Sequence, residues 1–167
     1  MIPQIHSSCY IDETAVIIGD VIIEEGCSVW PHAVIRGDLN RILIREGANV
    51  QDNCVIHVTR EEDTIIGKDT TLGHGCVVHG SHIDDNCIIG MNSCVLDGSR
   101  IGKNSIVGAG AVVTAGTNAG SGSLLVGMPA KVVKESDAFA KICAKNAKSY
   151  HRERDRFRNS PPERYRP

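Results

Sequence analysis

The chain has 167 residues, a length typical of one domain, and a formal net charge of −2 at pH 7. It has no basic stripe that would indicate nucleic-acid binding, and no uninterrupted apolar run close to the roughly 20 residues that a membrane-spanning helix needs. Because the first residues also lack the pattern of a signal peptide, we expect a soluble, cytoplasmic protein with no nucleic-acid or membrane partner.

An aliphatic residue recurs at every sixth position through most of the chain, over residues 11–35, 44–56, 66–78 and 83–113. A six-residue period is typical of hexapeptide β-helices, in which each repeat forms one short strand and a turn, and three repeats form a triangular coil of 18 residues. The sequence therefore predicts an all-β solenoid over residues 1–134, with the aliphatic column inside. The residue four positions after the aliphatic is nearly always small: Ala15, Cys27, Ala33, Ala48, Cys54, Cys76, Cys87, Ser93, Ser99, Ser105 and Ala111.

The seven cysteines do not form a metal-binding or disulfide pattern, since the sequence contains no CxxC motif. Four of them occupy the small-residue position of the repeat, where a free cysteine behaves as a small buried hydrophobe. Cys9, Cys94 and Cys143 have no assigned position. We expect free thiols and a reducing compartment.

The repeat also predicts which residues lie on the same face of the solenoid. Extra residues near 36–43 and 57–65 interrupt the period, and we interpret them as loops that leave a corner. With three repeats per coil, Ile35, Ile56 and Val78 then lie on one face in consecutive coils.

Neighbouring residues of a strand point to opposite sides, so the residue after each inward aliphatic points outward. This places Arg36, His57 and His79 in one outward column. Stacked strands are about 4.8 Å apart, and two imidazoles one coil apart can converge on a metal ion that needs Zn–N distances of about 2.0 Å.

A third histidine, His74, lies with Asp52 in a second column near another corner. If the edges of the prism are on the order of 15–20 Å, as short strands imply, His74 is too far from His57 and His79 of its own chain to share a metal with them. Three prisms related by rotation would bring one corner of each against the next, which predicts a homotrimer with sites shared between subunits. Three neutral imidazoles and one open position are typical of a catalytic zinc site.

Five segments, taken in order and with their spacing, resemble the γ-class carbonic anhydrase family, and the resemblance covers roughly residues 5–134. It implies a left-handed parallel β-helix and a trimer in which His57, His74 and His79 bind Zn²⁺, or Fe²⁺ or Co²⁺, at subunit interfaces. It also implies reversible hydration of carbon dioxide to bicarbonate by a metal-bound hydroxide. The segments are Arg36-Gly37-Asp38, Asn49-Val50-Gln51-Asp52-Asn53, His57-Val58, Gly73-His74-Gly75 and His79-Gly80.

The same resemblance implies roles for residues around the metal. Arg36 and Asp38 would form an ion pair across the subunit contact. Gln51 would orient the metal-bound hydroxide, and Asp52 would make a structural hydrogen bond or pair with an arginine.

The chain departs from the family pattern in the residues that would export the proton. Leu39 stands where well-characterised members carry a glutamate, and the loop from Val58 to Ile65 is short. Its acidic residues are Glu61, Glu62 and Asp63, of which Glu61 and Glu62 are the candidate shuttles. Two alternatives therefore stay open: a noncatalytic or assembly subunit stabilised by its metal, and a hexapeptide acyltransferase or thioesterase in which one histidine acts as base.

The C-terminal residues predict a helix over 135–156 that packs on the solenoid, with Ser136 as its cap. Tyr150 would pack with this helix or approach a neighbouring active site. The tail 157–167 is expected to fray or to contact an interface. The apolar stripe of the helix would consist of Phe139, Ile142, Cys143 and Tyr150.

Overall fold

In the computed structural model, which describes residues 1–165, nineteen short strands wind around a common axis and one helix, α1 (Ala138–Asn159), follows them. The strands are β1 (Gln4–Ile5), β2 (Tyr10–Ile11), β3 (Val16–Ile23), β4 (Ser28–Val29), β5 (Val34–Ile44), β6 (Asn49–Val50), β7 (Val55–His57), β8 (Thr64–Ile66), β9 (Thr71–Leu72), β10 (Val77–His79), β11 (His82–Ile83), β12 (Ile88–Ile89), β13 (Cys94–Val95), β14 (Arg100–Ile101), β15 (Ile106–Val107), β16 (Val112–Val113), β17 (Asn118–Ala119), β18 (Ser123–Gly127) and β19 (Ala130–Glu135).

The strands form three faces of a prism. The histidine face contains the first parts of β3 and β5, then β7, β10, β13 and β16, whereas the helix face contains β2, β4, β6, β9, β12, β15, β18 and β19. The third face contains β1, the later parts of β3 and β5, then β8, β11, β14 and β17. Every pairing is parallel except the antiparallel contact of β18 with β19. The predicted all-β solenoid with a C-terminal helix is confirmed.

The predicted coil register is also confirmed on the histidine face. Ile35 pairs with Ile56, and Ile56 pairs with Val78 in the next coil. All three side chains are fully buried in one continuous apolar core. The outward neighbours His57 and His79 are paired by the same ladder.

The corners of the prism require a left-handed backbone conformation. A residue with positive φ precedes most of the small residues, and it is usually glycine or asparagine, which adopt this conformation most readily. At Gly75, which follows His74, φ is +71° and an added Cβ would lie 2.4 Å from Asn92 Oδ1. Gly75 thus allows the tight turn that presents His74 at a corner.

All seven cysteines are free thiols, and the four in the small-residue position are buried, as predicted. Cys54 and Cys76 stack in consecutive coils with their Sγ atoms 3.6 Å apart. Cys143, which had no assigned position, belongs to helix α1 and is buried.

Helix α1 covers the helix face, but it begins at Ala138 instead of residue 135, because Ala130–Glu135 still pairs with β18. The N-cap residue is Asp137 and not the predicted Ser136, although Ser136 Oγ accepts a hydrogen bond from the Ala138 N–H at 3.3 Å. The prediction that Ile142 belongs to the apolar stripe was wrong, since Ile142 is 50% exposed. Phe139, Cys143 and Ala147, spaced four residues apart, form the buried stripe. Among residues 1–165, no helix is both long and apolar enough to cross a membrane.

The segment predicted as a tail contacts the solenoid through Phe157, Arg158 and Arg164. Arg166 and Pro167 lie outside the described residues. Phe157 is still helical, and its ring packs edge-on against Trp30 with centroids 4.8 Å apart. Further on, Arg164 forms an ion pair with buried Asp12. Burial opposes ionisation of Asp12, but hydrogen bonds from Arg164 and Thr14 outweigh it and hold the pKa of Asp12 well below its ordinary value.

Replacing a core aliphatic should destabilise the solenoid far more than replacing an exposed residue of the same coil. We expect Ile101→Ala, at a residue 1% exposed, to lower the free energy of unfolding by about 2–5 kcal/mol, because it leaves a cavity. The matched control Lys103→Ala changes an exposed residue and should change stability by less than about 0.5 kcal/mol. Denaturant unfolding at one fixed chain concentration measures both, and equal losses would contradict this account of the core.

Candidate metal centre

His57 and His79 lie side by side on the histidine face because β7 and β10 pair them in register. Their ring centroids are 4.9 Å apart and the rings are tilted by 57°. His57 Nδ1 lies 2.9 Å from His79 Nε2, and neither ring is fully exposed.

The outer nitrogens of both rings contact carboxylates. His57 Nε2 lies 2.8 Å from Asp38 Oδ1, and His79 Nδ1 contacts Asp97 Oδ1. The hydrogen bond from His57 and, further, the adjacent Arg36 lower the pKa of Asp38, so its carboxylate is ionised and can only accept. The N–H of each ring is thereby assigned to the nitrogen that faces its carboxylate.

This assignment leaves two lone pairs facing each other between His57 Nδ1 and His79 Nε2. Two neutral imidazoles repel in this arrangement unless a cation lies between them. In a tetrahedral zinc site with Zn–N of about 2.0–2.1 Å, two ligand nitrogens lie about 3.3 Å apart, close to the 2.9 Å observed between these atoms. Carboxylates behind the ligand imidazoles are the usual outer partners of metal-binding histidines. The pair therefore fits a divalent metal ion.

His74 lies at the next corner and has the same kind of support. Its Nδ1 lies 2.8 Å from Asp52 Oδ2, so Asp52 makes the structural hydrogen bond that was one of its two expected roles. No group among residues 1–165 hydrogen-bonds with His74 Nε2, and the ring is 48% exposed. Within the described part of one chain, no three His, Cys, Asp or Glu side chains come together to hold one metal ion.

Gln51 and Tyr150 lie on the His74 side of the centre. Gln51 is 4% exposed; its Oε1 accepts the His74 backbone N–H at 3.1 Å, and its Nε2 donates to Asn49 Oδ1 at 3.1 Å. With Tyr150 and Asn146 of helix α1, Gln51 and His74 line a groove of about 410 Å³. Burial, and to a lesser extent the charge of Asp52, raise the pKa of Tyr150.

The two candidate proton shuttles occupy different positions in the loop after β7. Thr59 Oγ1 accepts the backbone N–H groups of Glu61 and Glu62, at 3.2 and 2.8 Å, and folds the loop into a tight turn. Glu61 is exposed, whereas Glu62 is partly buried. A Cβ built on Gly80, the residue after His79, would lie 3.2 Å from Glu62 Cβ and 3.1 Å from Asp97 Oδ1.

Arg36 and Asp38 contact each other within one chain, although the resemblance implied a pair across a subunit contact. They are two residues apart in one strand, so their side chains leave it on the same side. Leu39, in the position of the family's glutamate, is 43% exposed.

Asp97 is a residue of the centre that sequence reasoning missed. It lies 18 residues after His79, one more than the 17-residue spacing that pairs β10 with β13, so counting repeats alone does not place it beside His79. It was overlooked because it belongs to none of the segments that carry the resemblance.

The model of the family described as bacterial transferase hexapeptide (six repeats) matches residues 3–37, 63–96 and 80–115. The chain belongs to this hexapeptide-repeat family. One relative is the "Probable carbonic anhydrase" of Methanocaldococcus jannaschii, 54% identical over 132 residues, which cover 79% of this chain and 83% of the relative. The predicted resemblance to carbonic anhydrases of the hexapeptide-repeat type is confirmed.

Other members of the hexapeptide-repeat family carry different names. The carnitine operon protein CaiE of Escherichia coli is 42% identical over 134 residues, which cover 80% of this chain and 68% of CaiE. A crystal structure of a Bacillus cereus protein, named as a proposed acetyltransferase, superposes with a TM-score of 0.91 at 35% identity and covers 94% of this chain and 92% of that one. Family membership alone therefore does not decide the reaction.

Proposed function

We propose that this protein is a γ-carbonic-anhydrase-like metalloenzyme that hydrates carbon dioxide reversibly to bicarbonate. The metal ion, Zn²⁺ or alternatively Fe²⁺ or Co²⁺, is held by His57 and His79 of one subunit and His74 of the next subunit in a homotrimer. The observation that carries the proposal is the donor set: three imidazoles, each backed by a carboxylate, of which two face each other with unshared lone pairs.

An exposed apolar column beside the histidine pair supports a second copy of the chain as the source of His74. The column consists of the residues that immediately precede the inward aliphatics on the histidine face, and it runs along the outside of the prism. Two of its members are exposed, Val16 at 45% and Val55 at 37%, and the others are partly exposed. Burial of such a column between copies is favourable. Its residues, paired coil by coil, are Val16, Val34, Val55, Val77, Cys94 and Val112.

When bound, the metal ion would lower the pKa of water to about 7 and so make a nucleophile for carbon dioxide available at neutral pH. The protein positions the metal ligands and exports the proton. Asp38, Asp52 and Asp97 orient the three imidazoles, and Gln51 fixes the backbone of His74.

The proton released on hydration has to reach solvent, and Glu62 is the residue placed to carry it. Its side chain lies beside Gly80, the residue after His79, and close to Asp97, whereas Glu61 is exposed. A carboxylate within reach of the site, directly or through one water, can accept the proton and pass it to buffer.

Acyl transfer is a second candidate, and the groove beside His74 favours it. Asp52 holds His74 Nδ1, so Nε2 could act as a general base, and the groove next to it is lined by apolar side chains such as Ile88, Met91 and Ile106. This reaction needs only one histidine. Replacement of His57 by Ala should abolish metal binding and carbon dioxide hydration, whereas an acyltransferase or thioesterase would retain its activity on acetyl coenzyme A.

A metal-stabilised noncatalytic or assembly subunit remains the third interpretation, and Leu39 and the short loop are the features that favour it. Such a protein would bind metal at the three histidines and show no hydration of carbon dioxide in a stopped-flow assay.

The metal content of the purified protein tests the proposed site directly. Protein purified without chelator, or reconstituted with zinc or ferrous iron, should contain about one ion per chain, because a three-fold trimer has one interface per subunit. We expect His74→Ala to lose the metal, since it removes one of three ligands. His82→Ala, at a histidine engaged by Asp63 and Arg100 outside the centre, is the control and should retain it. Elemental analysis that finds no metal in the wild-type protein would rule out the proposed enzyme.

A measurement of proton export distinguishes the roles of Glu61 and Glu62. We expect Glu62→Gln to lower kcat for carbon dioxide hydration by about tenfold or more in dilute buffer, and added imidazole buffer should restore it. The matched control Glu61→Gln should stay within about twofold of wild type. Equal effects of the two substitutions, or no rescue by buffer, would contradict the assignment of Glu62.

A further inference from the structure

Asp97 differs from Asp38, the carboxylate behind the other ring of the histidine pair, in its surroundings. Asp38 divides its charge between His57 and Arg36, whereas Asp97 has one hydrogen-bonding side-chain partner among residues 1–165, His79. The acceptor is therefore dedicated to one ligand imidazole.

The backbone around Asp97 is fixed on both sides by the neighbouring coils. The Gly98 N–H donates to Gly80 O at 2.7 Å, and Asp97 O accepts the Gly116 N–H at 2.8 Å. Strand β13 pairs in register with β10, which carries His79. The carboxylate thus reaches His79 from a rigid corner, so its position does not depend on a flexible loop.

A neutral imidazole carries its proton on either nitrogen, and the partner of one nitrogen decides which. Without Asp97, no other group among residues 1–165 accepts a hydrogen bond from His79 Nδ1. The proton would then be better placed on Nε2, where it could be donated to His57 Nδ1 at 2.9 Å. That hydrogen bond between the two histidines would occupy both nitrogens that a metal ion needs.

We infer that Asp97 is a positioning residue that keeps His79 in the tautomer with its Nε2 lone pair directed at the metal site, and so prevents a closed histidine–histidine hydrogen bond. The inference rests on the proposed function for the identity of the site. It extends that function by assigning a role to a residue outside the segments that carry the family resemblance.

The test uses the full-length protein labelled with ¹⁵N-histidine and two independent measurements, the tautomer of His79 in the metal-free protein and the zinc affinity in a chelator competition. The variants are Asp97→Ala, which removes the acceptor, and Asp97→Asn, which keeps an uncharged acceptor. The matched control is Asp63→Ala, which removes a similar partner, 2.5 Å from His82 Nε2, on the neighbouring face.

In the wild-type protein we expect the proton on Nδ1 of His79, and in Asp97→Ala on Nε2. The zinc dissociation constant of Asp97→Ala should rise by about 10–100-fold, the usual effect of losing an outer partner of a metal ligand. Asp97→Asn should lose less affinity, and Asp63→Ala should match wild type.

An unchanged His79 tautomer in Asp97→Ala, or a zinc affinity within about twofold of wild type, would overturn the inference while leaving the metal site itself intact. Failure of the wild-type protein to bind zinc would instead refute the proposed function, and the role of Asp97 with it.

Discussion

The parallel register of the coils is the constraint on which the rest of the structure depends. Each strand pairs with the strand one coil earlier, so residues that are 17 to 22 positions apart in sequence become neighbours along the prism. The inward aliphatics form a continuous buried column, and the residues beside them form outward columns with equally fixed positions. A side chain on this surface is therefore placed by rigid backbone, which suits a site that needs ligands held within fractions of an ångström.

In the candidate metal centre, this rigid backbone positions both the two histidines and the two carboxylates behind them. The ladder of β7 and β10 brings His57 and His79 together, and the coils before and after them supply Asp38 and Asp97 behind the two rings. The carboxylates decide which nitrogen of each ring is protonated, and the two remaining nitrogens then face each other. The arrangement is electrostatically incomplete in the chain by itself, because two lone pairs are brought together with no proton assigned between them. The divalent cation proposed above would resolve this conflict, and a second copy covering the adjacent apolar surface would supply the third imidazole.

The sequence alone was sufficient for the solenoid and for the pairing of His57 with His79, because both follow from counting six-residue repeats. It was not sufficient where the chain leaves the repeat. The start of helix α1 depends on whether Glu135 stays paired with β18, and Ile142 lies outside the stripe with which the helix packs on the solenoid. Glu61 and Glu62 could not be distinguished, since the hydroxyl of Thr59 determines the conformation of their loop. Asp97 stands one residue beyond the 17-residue spacing of its coil and outside the family segments, so only the contact with His79 reveals it.

The central claim is that the metal site is shared between two chains, and mixed assemblies test it most directly. His74→Ala and His57→Ala chains should each bind no metal alone. When the two variants are unfolded together and refolded, each mixed trimer should contain one interface with His57 and His79 from one chain and His74 from the other, and metal should return at that interface. Recovery of bound metal in the mixture is the predicted result. A mixture that forms trimers but binds no metal would contradict the shared site.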